Sequence, residues 1–482
     1  MTEKNFKGKV LNGLFWKLLE QTGYQGIQFV VALVLARLMS PEEYGTISLI
    51  MIFITIANTF IQSGFATALI QKKEIREADY SSVFWLTLGM AVLCYGLLYL
   101  AAPWIAAYYR TPVLTELVRL MGLVLFPGAV ISIQTAFVSR TLQFRLLFKS
   151  TMLAVLSSGA VSIGMAMVGL GVWAMAAQQL VYYMVLMLSL FFIVRWVPRR
   201  IFSFGEIREL FSFGWKILVS GLIDTVWQNV YGLVIGKQYS NAELGIYNRG
   251  EQFPKLLTTN LNAVIQSVLL PAYAQLQEEK AALKNAARRS VKLSGFLVFP
   301  MMAGMLAVAR PLVLLLLTEK WIAAVPYLCI MCVNYAILPI HSINLQLLNA
   351  QGRSDLFLKL EILKKLLGIV ILLLSLPLGI FPMLLLKLAD EYLCLLINAW
   401  PNRRLLDYGP LQQLWDLLPS LFCSLVMGFG VAMLQQLPLT PLPMLLLQML
   451  VGVLLYLLLS LLVNREAVRY VLQLVMKKRA AG

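Results

Sequence analysis

Charged residues are scarce in this sequence. Only 13% of its 482 residues are Asp, Glu, Lys or Arg, whereas 60% are hydrophobic. Soluble domains contain roughly 25% charged and 45–50% apolar residues, so this composition excludes a soluble globular protein. The apolar residues occur in long runs, and a run of about 17–25 of them can cross a bilayer. The sequence therefore predicts a protein that crosses a membrane many times.

Histidine, paired cysteines and phosphate-binding loops are also sparse or missing. His341 is the single histidine, which excludes a histidine-rich metal site and a Ser-His-Asp triad built anywhere else in the chain. Cys329 and Cys332 form a C-x-x-C, but they lie in an apolar segment without a second ligand pair, so we interpret them as packing residues. The cytoplasmic loops hold no G-x-x-x-x-G-K-[ST] motif, which argues against ATP hydrolysis. We expect no metal and no cofactor.

The apolar runs predict about fourteen spanning helices, since only helices and closed barrels satisfy their backbone hydrogen bonds in lipid. They cover residues 11–38, 44–70, 79–102, 113–138, 148–169, 172–195, 212–237, 252–276, 291–316, 321–350, 356–378, 380–401, 413–436 and 441–463. Basic residues concentrate in alternate loops, and the loops between them hold only Arg110, Lys237, Arg249 and Lys320. The positive-inside rule then places both termini in the cytoplasm. These loops account for most of the basic excess behind the net charge of +17 without nucleic acid as a partner.

An internal repeat divides the chain. Residues 16–19 (WKLL) recur as 215–218 (WKIL), and residues 40–45 (SPEEYG) recur as 240–245 (SNAELG). Both hexapeptides fall in outside loops, so the two halves run in the same sense, an architecture found in transporters with the substrate site between the repeats. We predict an all-α membrane protein with one six-helix bundle in residues 1–200 and a second in residues 201–402. Residues 403–482 add two apolar helices and a basic cytoplasmic tail.

Several predicted helices carry polar stripes. Ionisable groups at lipid depth are costly and usually face a cavity or a partner. Residues three or four apart share one helical face, as do Lys17, Glu20, Tyr24 and Gln28 in the first helix. Gln28, Gln228 and Asn262 are candidate substrate ligands, although hydrogen bonding between helices explains such residues equally well. The acidic candidates for ion coupling are Glu20, Asp224 and Asp390. Glu20 and Asp224 could instead form ion pairs with Lys17 or Lys216.

Basic residues also occur toward the outer ends of the predicted helices. Some of them can reach lipid headgroups along their flexible stems. Facing inward, they would form a cationic cavity that attracts an anion, and the planar arginine fork pairs with phosphate or carboxylate. The candidates are Arg37, Arg119, Lys237, Arg249, Lys255 and Arg310.

Five segments resemble one family of exporters. They are residues 36–49 (ARLMSPEEYGTISL), residues 63–74 (SGFATALIQKKE), a Q-x-x-F-x-x-R-x-L-x-F pattern from Gln134 to Phe144, and residues 243–255 (ELGIYNRGEQFPK) with residues 269–277 (LLPAYAQLQ). They resemble Wzx-type polysaccharide flippases of the MOP exporter superfamily, in the branch of colanic-acid and teichuronic-acid exporters. The resemblance implies two six-helix bundles, a central cationic cavity, alternating access and a gradient of protons or sodium ions. It also implies a groove for a polyprenyl tail formed by the last two helices.

The leading hypothesis is a flippase in the bacterial cytoplasmic membrane that moves undecaprenyl-pyrophosphate-linked oligosaccharide for exopolysaccharide, lipopolysaccharide or capsule synthesis. A polysaccharide polymerase is a further candidate partner. A multidrug or cation antiporter of the same superfamily would need an acidic, aromatic-lined cavity, which the basic excess disfavours. A membrane glycosyltransferase or polymer ligase would need a long loop, but the largest outer connection runs only from Lys237 to Glu251. We therefore expect a transporter and not an enzyme.

Overall fold

The computed structural model describes residues 3–62, 64–72, 75–194, 196–469 and 473. Throughout these residues the regular elements are helices, which confirms the predicted all-α fold. The first two residues and most of the basic C-terminal tail lie outside the described residues, so the orientation of the termini stays a prediction.

The chain separates into two compact units, Met1–Gly245 and Ile246–Gly482. The first unit contains α1 (Glu3–Leu38), α2 (Pro41–Gln62), α3 (Phe65–Gln71), α4 (Glu77–Tyr108), α5 (Leu114–Gly122), α6 (Leu125–Thr141), α7 (Phe144–Met167), α8 (Val172–Val194) and α9 (Phe204–Gln238). Helix α10 (Asn241–Gln275) begins in the first unit and continues in the second. The second unit adds α11 (Lys280–Ala307), α12 (Ala309–Leu316), α13 (Ala324–Ala336), α14 (Leu338–Ala350), α15 (Ser354–Ser375), α16 (Ile380–Leu406), α17 (Pro410–Met433) and α18 (Pro441–Val463).

Helix α9 packs against α2, α3 and α4 in the first unit. These contacts do not test the predicted division into residues 1–200, 201–402 and 403–482. That division stays a prediction that rests on the repeat alone.

Ten helical segments of the described chain are long and apolar enough to cross a membrane. The other four predicted spans are also helical, as α1, α10, α15 and α16, and each is at least as long as the about 20 residues that a bilayer requires. Their sequences contain more ionisable residues, among them those of the polar stripe of α1 noted above. The helices that look least suited to lipid are thus the ones that carry most of the candidate site residues.

The repeated hexapeptide has a structural reason, since it caps a helix in each copy. Ser40 Oγ accepts a hydrogen bond from the Glu43 backbone N–H over 3.3 Å, and Glu43 Oε2 accepts one from the Ser40 N–H over 2.7 Å. This reciprocal arrangement is a capping box, which satisfies backbone donors at the start of α2. At the start of α10, Ser240 Oγ accepts from the Glu243 N–H over 3.1 Å. The repeat therefore preserves helix starts.

The last residue of the hexapeptide places two backbones in direct contact. A Cβ atom on Gly45 would lie 1.5 Å from the carbonyl oxygen of Asn241, and one on Gly245 would lie 2.0 Å from the carbonyl oxygen of Pro41. No side chain fits at these distances, so glycine is required at both positions. The start of α2 and the start of α10 meet through these two glycines.

Candidate functional site

The polar stripe of α1 begins with an ion pair. Lys17 Nζ lies 2.6 Å from Glu20 Oε2, and Thr151 of α7 donates to Glu20 Oε1 over 3.3 Å. The Glu20 side chain is only 15% exposed. The sequence allows Glu20 either an ion pair with Lys17 or a role in ion coupling. The structure contains the ion pair, and the role in ion coupling stays a prediction.

The same stripe continues along α1 and packs against α8. The rings of Tyr24 and Tyr182 lie 5.5 Å apart, and Gln178 Nε2 donates to Gln28 Oε1 over 3.2 Å. Hydrogen bonds of this kind hold membrane helices together. Gln28 thus links two helices, and its role in substrate binding stays a prediction.

Two of the predicted site cations lie on tyrosine rings of α4. Arg119 Cζ is 4.2 Å from the centre of the Tyr99 ring, and Lys237 Nζ is 3.8 Å from the centre of the Tyr108 ring. Arg37, the third predicted cation of the first unit, is exposed in the last turn of α1. An aromatic ring attracts a cation without neutralising it. Arg119 and Lys237 are therefore held in place while their charge stays available to an anion.

The polar face of α9 is exposed in part and bonded in part. Asp224 and Gln228 are exposed, whereas Thr225 Oγ1 lies 3.1 Å from Thr59 Oγ1 of α2. Exposed groups at this depth of a spanning helix face either lipid or water, and lipid is the costlier surrounding for a carboxylate. This favours an aqueous surface along α9 beside Asp224.

The second unit contains a buried cluster of charges around Glu251. Glu251 Oε1 accepts a hydrogen bond from Tyr335 Oη over 3.0 Å and lies 3.9 Å from Lys387 Nζ, while Glu251 Oε2 lies 3.6 Å from Lys255 Nζ. Lys387 also donates to Tyr247 Oη over 3.0 Å. Glu251 and Lys387 are only 16% and 15% exposed. The cluster joins α10, α13 and α16.

Sequence reasoning found one member of this cluster and missed two. It selected Lys255 as a basic candidate but not Glu251, although the spacing of four residues between them is the signal of a helical ion pair. Lys387 lies three and four residues before Asp390 and Glu391, so its spacing indicates a pair within α16 and gives no sign of Glu251. Its partner is distant in sequence and could be found only from the fold.

The remaining cations and amides of the second unit differ in surroundings. Arg249 is 4% exposed, donates to Gln252 Oε1 and lies 5.6 Å from the centre of the Trp321 ring. Asn262 is also buried, and its Oδ1 atom has no hydrogen-bond partner. Arg310, by contrast, is exposed near the start of α12. Arg249 and Arg310 therefore differ in their access to solvent, and their role in one substrate site stays a prediction.

Asp390 and Glu391 are adjacent acids of α16 that point to different neighbours, because consecutive residues of a helix are rotated by about 100°. Asp390 is 6% exposed and accepts a weak hydrogen bond from Cys394 Sγ over 3.7 Å. Glu391 Oε2 lies 3.9 Å from His341 Nε2, and His341 Nδ1 lies 3.0 Å from Asn398 Nδ2. The single histidine thus sits in a polar contact between α14 and α16. In the described residues, no group of three or more His, Cys, Asp or Glu could hold a metal ion.

An apolar groove of about 420 Å³ lies in the second unit. Residues of α11, α13, α14, α16 and α17 line it, and most of these side chains are aliphatic, including Leu306, Leu396 and Leu425. Gln413 and Ser424 are among its few polar groups. The resemblance implies such a groove in the last two helices, whereas among the lining residues that the structure describes only α17 of these two helices contributes.

These features define the class of protein before any comparison: a multi-pass membrane protein whose charged groups lie within spanning helices, as in transporters. Solved structures share the fold. The chain is similar to the lipid II flippase MurJ in an inward closed conformation, with a TM-score of 0.77 and 15% identity over 94% of this chain and 100% of that one. It is also similar to an inward-facing multidrug resistance MATE family transporter of the MOP superfamily, with a TM-score of 0.52, 12% identity, and coverage of 91% and 94%.

The chain belongs to a family of polysaccharide biosynthesis proteins, whose pattern it matches over residues 34–326. Three relatives are the succinoglycan biosynthesis transport protein ExoT of Rhizobium meliloti, the teichuronic acid biosynthesis protein TuaB of Bacillus subtilis and the lipopolysaccharide biosynthesis protein WzxC of Escherichia coli. They are 25%, 25% and 23% identical to this chain. The matches cover 68%, 72% and 75% of this chain and 67%, 72% and 74% of the relatives. The predicted resemblance to Wzx-type polysaccharide proteins is confirmed by these matches, and the solved structures show the shared fold.

Proposed function

We propose that this chain is a flippase that moves polyprenyl-pyrophosphate-linked oligosaccharide from the inner to the outer leaflet of the bacterial cytoplasmic membrane. The family match over residues 34–326 carries this proposal. The relatives are named for succinoglycan, teichuronic acid and lipopolysaccharide biosynthesis, and the first is named as a transport protein. Both termini face the cytoplasm in this proposal, because the basic loops do.

The head group of this substrate is a polyanion, and the basic residues of the spanning helices are proposed to bind it. Arg119 and Lys237 support this role, because a tyrosine ring holds each of them without cancelling its charge. Lys255 supports it as well, since about half of its side chain stays exposed (49%) beside Glu251. Arg37, Arg249 and Arg310 complete the proposed set.

The lipid tail of the substrate needs an apolar surface of its own. The groove beside α17 provides one, since its walls are almost entirely hydrocarbon. Burial of such a tail contributes about 0.8 kcal/mol per CH₂ group. The groove is therefore the proposed tail site, and a polysaccharide polymerase is the proposed partner that receives the flipped unit.

The proposal is tested with purified protein in liposomes that contain undecaprenyl pyrophosphate bearing a fluorescent oligosaccharide. We expect the label of the inner leaflet to become accessible to an impermeant quencher, and to do so faster when a proton or sodium gradient is imposed. Protein-free liposomes are the control. New glycosidic bonds after addition of an acceptor sugar would instead identify an enzyme, and export of organic cations alone would identify an antiporter.

Asp224→Asn is expected to reduce gradient-driven transport to the background rate, because an amide cannot take up the proton or balance the charge of a coupling ion. Asp355→Asn is the matched control, since Asp355 is an exposed carboxylate at the start of α15 that pairs with Arg353. Transport is measured with and without the gradient. Equal gradient dependence in Asp224→Asn and wild type removes Asp224 from the mechanism.

A further inference from the structure

A polar pocket of about 250 Å³ lies inside the first unit. Residues of α2, α5 and α8 line it, together with Val124 between α5 and α6. Six of its ten lining side chains are polar: Thr55, Asn58, Thr59, Gln62, Gln179 and Tyr183. None of these six is normally ionised at neutral pH. The pocket is therefore polar but uncharged, unlike the clusters around Glu20 and Glu251.

Sequence spacing explains why these six side chains point into one space. The four from α2 follow the spacing i, i+3, i+4 and i+7, which places them on a single helical face. Gln179 and Tyr183 are four residues apart on α8 and also share a face. The amides and hydroxyls of two helices thus converge, while Met51 and Met121 supply flexible apolar walls.

The pocket contains hydrogen-bonding capacity that the protein does not use. Asn58 Oδ1 is buried without a hydrogen-bond partner. A buried polar atom left in this state is costly, so such atoms normally meet a partner, water or a ligand. Gly128 keeps the space beside this oxygen open, because a Cβ atom there would lie 3.0 Å from Asn58 Oδ1.

We infer that this pocket binds one neutral sugar ring of the lipid-linked oligosaccharide, an inference that rests on the proposed function. Sugar hydroxyls donate and accept hydrogen bonds, which amides and hydroxyls match and carboxylates alone do not. The volume is slightly below the about 300–1,000 Å³ of typical small-molecule sites, so it suits a single ring. A bare ion is a poorer fit, since the space equals about eight times the roughly 30 Å³ of one water molecule.

The test compares the affinity of the protein in nanodiscs for two lipids: undecaprenyl pyrophosphate alone, and the same lipid carrying one neutral hexose. We expect wild type to bind the hexose-bearing lipid more tightly. Asn58→Leu should weaken binding of that lipid by about 3- to 10-fold, the range for loss of one neutral hydrogen bond, and leave the sugar-free lipid unchanged. Asn229→Leu is the matched control, because Asn229 bonds to the Thr225 carbonyl oxygen outside the pocket.

Gly128→Ala provides a second variant that fills the pocket without removing a polar group. It should also weaken only the hexose-bearing lipid, and retained binding of the sugar-free lipid shows that each variant is folded. The inference is overturned by equal weakening of both lipids, or by an altered sodium dependence of transport with sugar binding unchanged. If wild type binds both lipids equally, the pocket inference fails while the flippase proposal stands. If wild type binds neither lipid, the proposed function itself fails.

Discussion

Replacing Lys387 with methionine is expected to abolish transport and to lower the stability of the protein by less than the about 3–5 kcal/mol that a fully uncompensated buried charge costs. Methionine keeps the length of the side chain but leaves Glu251 without the charge that lies 3.9 Å from it. Lys255 remains 3.6 Å from Glu251, but its side chain is half exposed, so the carboxylate loses the better buried of its two compensating charges in a medium of low polarity. Thermal unfolding in detergent, followed alongside transport in liposomes, measures both effects.

A double variant separates stability from function. Glu251→Gln combined with Lys387→Met removes both charges, so stability should return toward that of wild type while transport stays lost. Recovery of transport in the double variant would contradict a functional role and leave the cluster as a structural tie between α10 and α16. Arg353→Gln serves as the control, because its pair with Asp355 is exposed on both sides (42% and 51%) and should matter little.

Gly45→Ala is expected to separate the start of α2 from the start of α10. The new Cβ atom would lie 1.5 Å from the carbonyl oxygen of Asn241, so the backbones have to move apart. Asn241 Nδ2 also donates to Thr46 Oγ1 over 3.2 Å and to Thr111 Oγ1 over 3.0 Å, and the movement would break these bonds. We expect the transport cycle to require contact between the start of α2 and the start of α10, so Gly45→Ala should lose most of its transport activity.

The separation is measured through a cysteine at position 111. In a background without the five native cysteines, labelling of Thr111→Cys by a soluble maleimide should speed up about tenfold or more in Gly45→Ala, since overpacking costs about 1–3 kcal/mol. Gly89→Ala is the matched control, because a Cβ atom at Gly89 of α4 would meet nothing within 4 Å. Unchanged labelling and unchanged transport would show that the contact is not part of the cycle.

Much of the fold could be predicted from the sequence, and the reasons are physical. Hydrophobic runs such as residues 441–463 are determined by the bilayer thickness alone, and α18 (Pro441–Val463) has the same bounds. The repeated hexapeptide could be recognised because a capping box is a local motif, in which Ser40 and Glu43 are only three residues apart. Hydrophobic runs and capping boxes depend on residues that are close together in the sequence, so the sequence alone can predict them.

The candidate site was less predictable, because it depends on contacts between distant residues. The stripe on α1 showed that Glu20 and Gln28 share a face, but not that Thr151 and Gln178 would meet them. Lys387 was overlooked for the same reason, since its carboxylate partner Glu251 lies in another helix. The rotation of each helix about its own axis decides such contacts, and a single sequence does not contain that angle.

The pairing of Glu251 with Lys387 also has a consequence for biogenesis. The free energy of membrane insertion is raised by about 2.5–3.5 kcal/mol by a charged residue at the centre of a segment. Each leucine lowers it by only about 0.3–0.6 kcal/mol. Helix α16, which carries Lys387, Asp390 and Glu391, therefore gains little by partitioning alone from the translocon. Because α10 supplies the opposite charge, it acts as an assembly partner for α16. In ribosome-bound chains that are truncated before α16, helix α10 should be only loosely retained in the bilayer.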